Sequence, residues 1–351
     1  MEEERGIRFA KNLPYVVGNV FKMLYEFPTA LVISDDGQKI LYENEKNLVY
    51  VDSDSGKTIR NLHLFTKFIG FVDLNKTNDK ALAGSADNQA KIVDLKTGKC
   101  LHDLKGHQGF VFLGGFNPQS TIAATACQNM KIKIWDVESG KQNFEFAQHK
   151  QTPTYLSYNP DGDKLLTCSY ENEALIWNAN DGQIVCKLSK HTRGLEVAKF
   201  ASSGYICATG SHDNKANVWD IRNPEQPLFT LEGHQDYIKE LAFNKQQTQI
   251  VTGSNDNTGR IYNLQDGKFV GELSNFPGQV YAVSFNEAGN KIIGVSNNKT
   301  VQIFDNQGTC LQQITGEGNV YINKTGNTFV TMPKSIDSQA KVWREARVSK
   351  H

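Results

Sequence analysis

Residues 106–147 read GHQGFVFLGGFNPQSTIAATACQNMKIKIWDVESGKQNFEFA, and this stretch sets the pattern for the whole chain. It opens on Gly106-His107, ends an apolar run on Trp135-Asp136, and carries turn residues between its hydrophobic segments. The setting of Trp135 recurs: an apolar residue closing an alternating run, followed by Asp or Asn and a Gly-containing turn. Its equivalents are Val51, Val93, Trp177, Trp219, Tyr262, Phe304 and Trp343, spaced 42 or 43 residues apart until a last interval of 39. Trp343 is a partial match, because Arg344 follows it. Self-similarity at about 40–45 residues marks one supersecondary unit stacked on copies of itself.

Inside each unit the apolar runs are short. LLTCS (165–169), IVTGS (250–254) and ANVWD (216–220) are bounded by turn signals, which is strand spacing and not helix spacing. First strands end in turns such as Asn159-Pro-Asp-Gly162 and Asn286-Glu-Ala-Gly289. Gly140, Gly182, Gly267 and Gly308 recur between the third and fourth strands, where a tight hairpin needs positive φ. The fifth unit departs from this with the stiffer link Arg222-Asn-Pro-Glu-Gln-Pro227. Marks in eight places imply eight units, with seven as the alternative count. The eighth unit has little chain left for a fourth strand, and Val16–Phe27 is an alternating stretch that cannot bury itself. Residues 1–27 are therefore expected to supply the ring-closing strand, and residues 28–351 the repeat domain, since closure removes an open sheet edge.

The bulk composition excludes several classes. Lys plus Arg equals Asp plus Glu at 38 each, so the formal net charge is zero and no basic field for nucleic acid is expected. The six cysteines form no CxxC pair and read as reduced thiols of an intracellular protein, cytoplasmic or nuclear, with cytoskeletal or ciliary structures among the settings. MEEERGIRF has no apolar leader segment, and no run approaches the 18 apolar residues of a membrane span. The Asn-Lys-Thr tripeptides at Asn75, Asn298 and Asn323 read as turn residues.

Gly106-His107, Gly233-His234, Trp135-Asp136 and Trp219-Asp220, with Trp177-Asn178 and Tyr262-Asn263 close to them, resemble the WD-repeat (WD40) family over about 28–345. The resemblance implies an all-β, single closed β-propeller of four-stranded antiparallel blades. It also implies a buried network in each blade: His from the loop before strand one, Asp from the turn before strand three, a strand-two hydroxyl, and the Trp. Carried onto this sequence, the fifth unit supplies His191, Ser211, Asp213 and Trp219. The sixth supplies His234, Ser254 and Asp256 with Tyr262 for Trp, and the third supplies His107 and Trp135. The second has Phe65 where His would stand, while Asn129 and Glu171 occupy the Asp position of the third and fourth. His, Asp and Ser together suggest a catalytic triad, but a set that returns unit after unit is structural, because catalysis needs one copy. No two histidines stand at metal-ligand spacing, so no catalytic, cofactor or metal site is expected.

Functional residues on propellers lie mainly on loops at one end of the central channel. Loops before strand one offer Phe68, Phe110, Lys150, Arg193, Tyr237 and Phe276; those between strands two and three offer Asn88, Met130, Tyr170, His212 and Asn297. Aromatic and Arg side chains among polar ones suit a protein or peptide partner. Inward blade packing is the competing reading for Phe68, Phe110 and Phe276. The expected function is a non-catalytic scaffold or adaptor in a multi-subunit assembly. One alternative is a substrate receptor of a cullin-RING ubiquitin ligase, since Val218-Trp-Asp-Ile-Arg222 resembles the WDxR box in which Arg meets the adaptor. A quinoprotein-like enzyme is a further alternative, from turns such as Asp94-Leu-Lys-Thr-Gly-Lys99 and Asp136-Val-Glu-Ser-Gly-Lys141.

Overall fold

Eight four-stranded antiparallel sheets stand in a ring, so the count is eight blades and not seven. The computed structural model describes residues 15–22, 30–316, 318–332 and 339–346, and every element among them is a strand. Blades 1 to 7 are meanders of consecutive strands spanning 31–63, 69–104, 111–146, 153–189, 195–231, 238–273 and 280–315. Every residue equivalent to Trp135 lies in the third strand of its blade, from Val51 in Asn47–Asp52 to Trp343 in Gln339–Glu345. The period read from the sequence is thus the angular step of the ring.

Blade 8 is composite. Val320–Ile322, Thr328–Thr331 and Gln339–Glu345 are its inner three strands, and Tyr15–Lys22 pairs antiparallel outside them, Tyr15 opposite Glu345 and Lys22 opposite Gln339. Residues 23–27 of the stretch singled out above lie outside the described residues. Tyr15 has no exposed surface; its hydroxyl donates to the Gly326 carbonyl at 2.5 Å, and its ring lies 5.5 Å from that of Phe329. We propose residues 1–27 as the closing segment and 28–351 as the ring it closes.

The core lies in wedges between blades. Alternation turns one face of each sheet toward the next blade, so a blade alone would leave both faces wet. Phe146 of blade 3 stacks on Trp177 of blade 4 with centroids 4.2 Å apart and planes 3° from parallel. Ile33, Ile40 and Val49 of blade 1 pack with Val330, Ala340 and Val342 of blade 8, so the wedge between the first and last blades is filled like the others. The turn glycines serve this packing. Gly140 holds φ of 67°, and the His102 ring of the preceding blade lies where a β-carbon would stand, while His102 Nε2 donates to the Glu138 carbonyl at 2.9 Å.

The first-to-second strand turns carry a device the sequence reading passed over. Asn75, Asn117, Asn159, Asn244, Asn286 and Asn323 are each at most 4% exposed, and each side-chain oxygen accepts backbone N–H groups four or five residues ahead. The amide stands in for a strand partner and closes the turn. Asn75 and Asn323 are therefore buried turn residues, as their tripeptides suggested.

Blades 2 to 7 share an irregularity at the second residue of the innermost strand: Gly70, Phe112, Thr154, Glu196, Lys239 and Tyr281 each interrupt the register. A bulge re-aims the side chain it carries, and here it does so at one end of the channel in blade after blade. The other end opens into a cavity of about 1020 Å³ lined by inner-strand residues of all eight blades.

Candidate interaction face

The loops before strand one and between strands two and three meet at the same end of the ring because the strands alternate in direction. Within a blade, one buried set ties them together. In blade 5, His191 Nδ1 lies 2.9 Å from Asp213 Oδ2, and the Thr209 hydroxyl lies 2.8 Å from His191 Nε2. Trp219 Nε1 donates to the same Thr209 oxygen at 2.9 Å. An indole N–H can only donate, so the threonine hydrogen goes to Nε2, which also accepts from Asn217 at 3.1 Å. With Nε2 accepting, Nδ1 carries a proton and donates to Asp213. Asp213 also accepts the Thr192 N–H at 3.0 Å, which fastens the loop to the turn.

This corrects the hydroxyl expected from the sequence. Ser211 and Ser254 do not meet the histidine; Thr209 bridges His191 to Trp219, and Thr252 meets His234, each two residues earlier and deeper in strand two. Ser211 lies at the strand end, where it meets backbone first. Its hydroxyl donates to the Gly194 and Arg193 carbonyls at 2.9 and 3.1 Å, and Ser254 donates to the Asp236 carbonyl at 2.9 Å. Both serines pin the loop that presents the candidate contact residues.

The set varies from blade to blade. Blade 4 replaces Asp with Glu171 and remains complete: His149 Nδ1 lies 3.2 Å from its carboxylate, Thr167 lies 2.8 Å from Nε2, and Trp177 donates to Thr167 at 2.9 Å. Blade 6 keeps His234 and Asp256 at 2.7 Å, while Tyr262 turns its hydroxyl to the Glu232 carbonyl at 2.9 Å. Burial alone would raise the Asp256 carboxyl, but His234, Thr258 and the Gln235 N–H together hold it below the usual range. Blade 2 has buried Phe65 in the His seat, with the Lys91 ammonium 5.6 Å from its ring centre.

Blade 3 is the incomplete one. His107 and Trp135 share Thr125 at 2.7 Å each, but Asn129 accepts from the Cys127 thiol, leaving buried His107 Nδ1 without a partner. Burial, reinforced by the Lys133 charge, pushes His107 down to about 4. Its folded value lies below the unfolded one, so the contribution is fully present above about 6.5 and is lost as pH falls toward 4. The expected loss from this residue is about 2–3 kcal/mol across that window. Asn129→Asp places a carboxylate at the vacant nitrogen and is expected to flatten the decline. Urea unfolding of both proteins between pH 7 and 4.5 checks this; parallel pH profiles would contradict it.

The candidate contact residues separate on inspection. Phe68 is 51% exposed with its ring 5.0 Å from that of Phe110, which is half-buried. Tyr170 is 46% exposed, and Lys150 and Arg193 are exposed. Tyr237 is half-buried and stacks on His212 at 4.3 Å, and His212 meets Tyr170 edge-on at 5.7 Å. Phe276 turns inward, buried and 5.7 Å from Phe304 of its own blade; the His seat it fills is lined with apolar groups. Arg222 lies at the opposite end of the ring, its guanidinium on Asp220 at 2.6 Å and 3.9 Å from the Tyr205 ring.

The sequence reading missed Glu196 and Lys239. Glu196 binds His212 Nε2 at 2.9 Å and Lys239 Nζ at 2.7 Å, and Lys239 lies 5.7 Å from the Tyr237 ring centre. Both occupy bulge positions, and strict alternation gives no sign of a bulge. Among the described residues, no group of three His, Cys, Asp or Glu side chains could hold a metal ion, and no helix is long and apolar enough to cross a membrane. The cysteines are free, with Cys127, Cys168 and Cys207 buried and Cys100 and Cys310 exposed.

The model of the IFT122 first β-propeller matches residues 71–344, from the first strand of blade 2 to the third strand of blade 8. The chain belongs to that family. Its WD-repeat character is thereby shown, and the IFT122-type propeller is a protein-interaction scaffold in general class. It is also 26% identical over 113 residues to Protein tipD of Dictyostelium discoideum, a stretch that is 32% of this chain. The chain covers 18% of the length of that relative.

Proposed function

We propose that this IFT122-type propeller is a non-catalytic adaptor that holds protein partners within a multi-subunit assembly, through the loop face built from the strand-one and strand-three entries. The observation that carries the reading is the contrast between repeated and unrepeated chemistry. The His–Thr–Trp sets recur in blades 3, 4 and 5 and are buried, as structural parts are. The exposed aromatic and cationic side chains on one face, such as Phe68, Lys150, Tyr170 and Arg193, occur in some blades and not in others, as recognition residues do. An intracellular setting, with ciliary structures among the candidates, belongs to the same proposal.

Affinity purification of the full chain tests it. Stoichiometric protein partners are expected, and Phe68→Ala with Tyr170→Ala is expected to weaken their capture by about tenfold or more while the melting profile stays unchanged. Absence of stoichiometric partners, or a small cofactor seen by absorbance, would contradict the adaptor reading. A single partner lost on Arg222→Ala would instead favour the ligase-receptor alternative.

A further inference from the structure

We infer that blades 4 to 6 form a preorganised site for an acidic peptide segment carrying an apolar or aromatic anchor. This rests on the adaptor reading and narrows it to one sector and one class of partner. The complete His–carboxylate ties occur in these three blades, at His149–Glu171, His191–Asp213 and His234–Asp256. Each carboxylate also accepts the N–H that follows its histidine: Lys150, Thr192 and Gln235.

Neighbouring blades are tied as well. Leu195 N–H of blade 5 donates to the Glu171 carbonyl of blade 4 at 3.0 Å, and Lys239 of blade 6 donates to Glu196 of blade 5 at 2.7 Å. Within blade 5, the His212 N–H donates to the Gly194 carbonyl at 2.9 Å. Gly194 allows this closeness, because a β-carbon there would stand 2.6 Å from the Tyr170 carbonyl oxygen. The loops bearing Tyr170, Arg193, His212 and Tyr237 are therefore held before any partner arrives, which lowers the ordering cost of binding.

The charges decide the partner. Glu173, at the entry to the third strand of blade 4, has no ion pair or side-chain hydrogen bond among the described residues; the other carboxylates facing this sector are engaged. Glu171, Asp213 and Asp256 hold histidines, Glu196 holds His212 and Lys239, Glu232 holds Lys215, and Asp236 accepts the Tyr237 N–H. The exposed side chains of Lys150 and Arg193 have no ion pair or side-chain hydrogen bond among the described residues. Their charges flank the Tyr170–His212–Tyr237 rings, which offer stacked and edge-on faces to an apolar side chain. Carboxylates on the peptide meet Lys150 and Arg193 while its anchor covers the rings.

A display selection tests the site. Random twelve-residue peptides are selected on the full chain and counter-selected on the K150E/R193E variant. Survivors are expected to be net acidic with at least one large apolar or aromatic residue. Synthesised, they should bind the K150E/R193E and Tyr237→Ala proteins at least about tenfold more weakly than the native chain, and Lys67→Glu equally well. Survivors without net negative charge, equal binding to the variants, or no peptide dependent on these positions would overturn the inference. Purification of the variants separates the two readings. Partners retained by K150E/R193E and Tyr237→Ala but lost with Phe68→Ala leave the adaptor standing and remove this site.

Discussion

Removing residues 1–27 is expected to destabilise the entire ring and to drive the chain into dimers or larger species. The truncation strips the outermost strand from blade 8, exposing the backbone edge of Gln339–Glu345, and an unpaired edge recruits another chain. Tyr15 carries much of the side-chain term. It joins Val320, Phe329 and Trp343 of blade 8 and Ile293 and Ile303 of blade 7 in one buried cluster. Its backbone N–H also donates to Gln312 at 3.1 Å and its carbonyl accepts from Gln312 at 3.2 Å, so it ties blade 8 to the outer strand of blade 7. Tyr15→Ala alone is expected to cost about 3–5 kcal/mol, lowering the midpoint of thermal unfolding by roughly 4–7 °C. Calorimetry and size-exclusion chromatography of both variants check this. A monomeric truncation that melts within about 2 °C of the native chain would show that the strand closes nothing.

The second large effect is expected at Thr209, a residue with no exposed surface. Thr209→Val keeps the shape and removes one hydroxyl. Trp219 Nε1 then loses its acceptor in a buried setting, while His191 Nε2 keeps only Asn217. An unsatisfied buried polar group costs about 1–3 kcal/mol, so a loss of about 2–3 kcal/mol is expected. Ser211→Ala removes the pins on the Arg193 and Gly194 carbonyls and the acceptor of the Asp213 N–H, but the Gly194 carbonyl keeps the His212 N–H, so it should cost less, about 1 kcal/mol. Denaturant unfolding of the two variants side by side decides between them. A larger loss at Ser211 than at Thr209 would restore the serine assignment and refute the hydrogen-bond path described above.

What the sequence made legible was the part governed by repetition. Trp135 and its equivalents fix the period, and each falls in a third strand, because that residue must fill the wedge between blades wherever the unit is placed. The hydroxyl of the buried set was not legible in the same way. Thr209 and Ser211 lie two residues apart on the same side of a strand, and only depth separates them. Phe276 was offered as a contact residue because it precedes a first strand, yet it occupies the seat that His takes in blades 3 to 6. Glu171 reads as a departure from Asp, but its longer side chain still reaches His149, whereas Asn129 turns to Cys127 and leaves His107 unpaired. Glu196 and Lys239 escaped notice because each is an extra residue that shifts the pairing of strand one with strand two, and an alternating apolar pattern does not mark it.

X-ray diffraction from crystals of the full chain tests the central claim most directly. Eight radial sheets around one channel are predicted, with residues 15–22 running antiparallel to 339–345 and Tyr15 buried against Phe329. Seven sheets, or a blade 8 whose third strand has a bare outer edge, would contradict it.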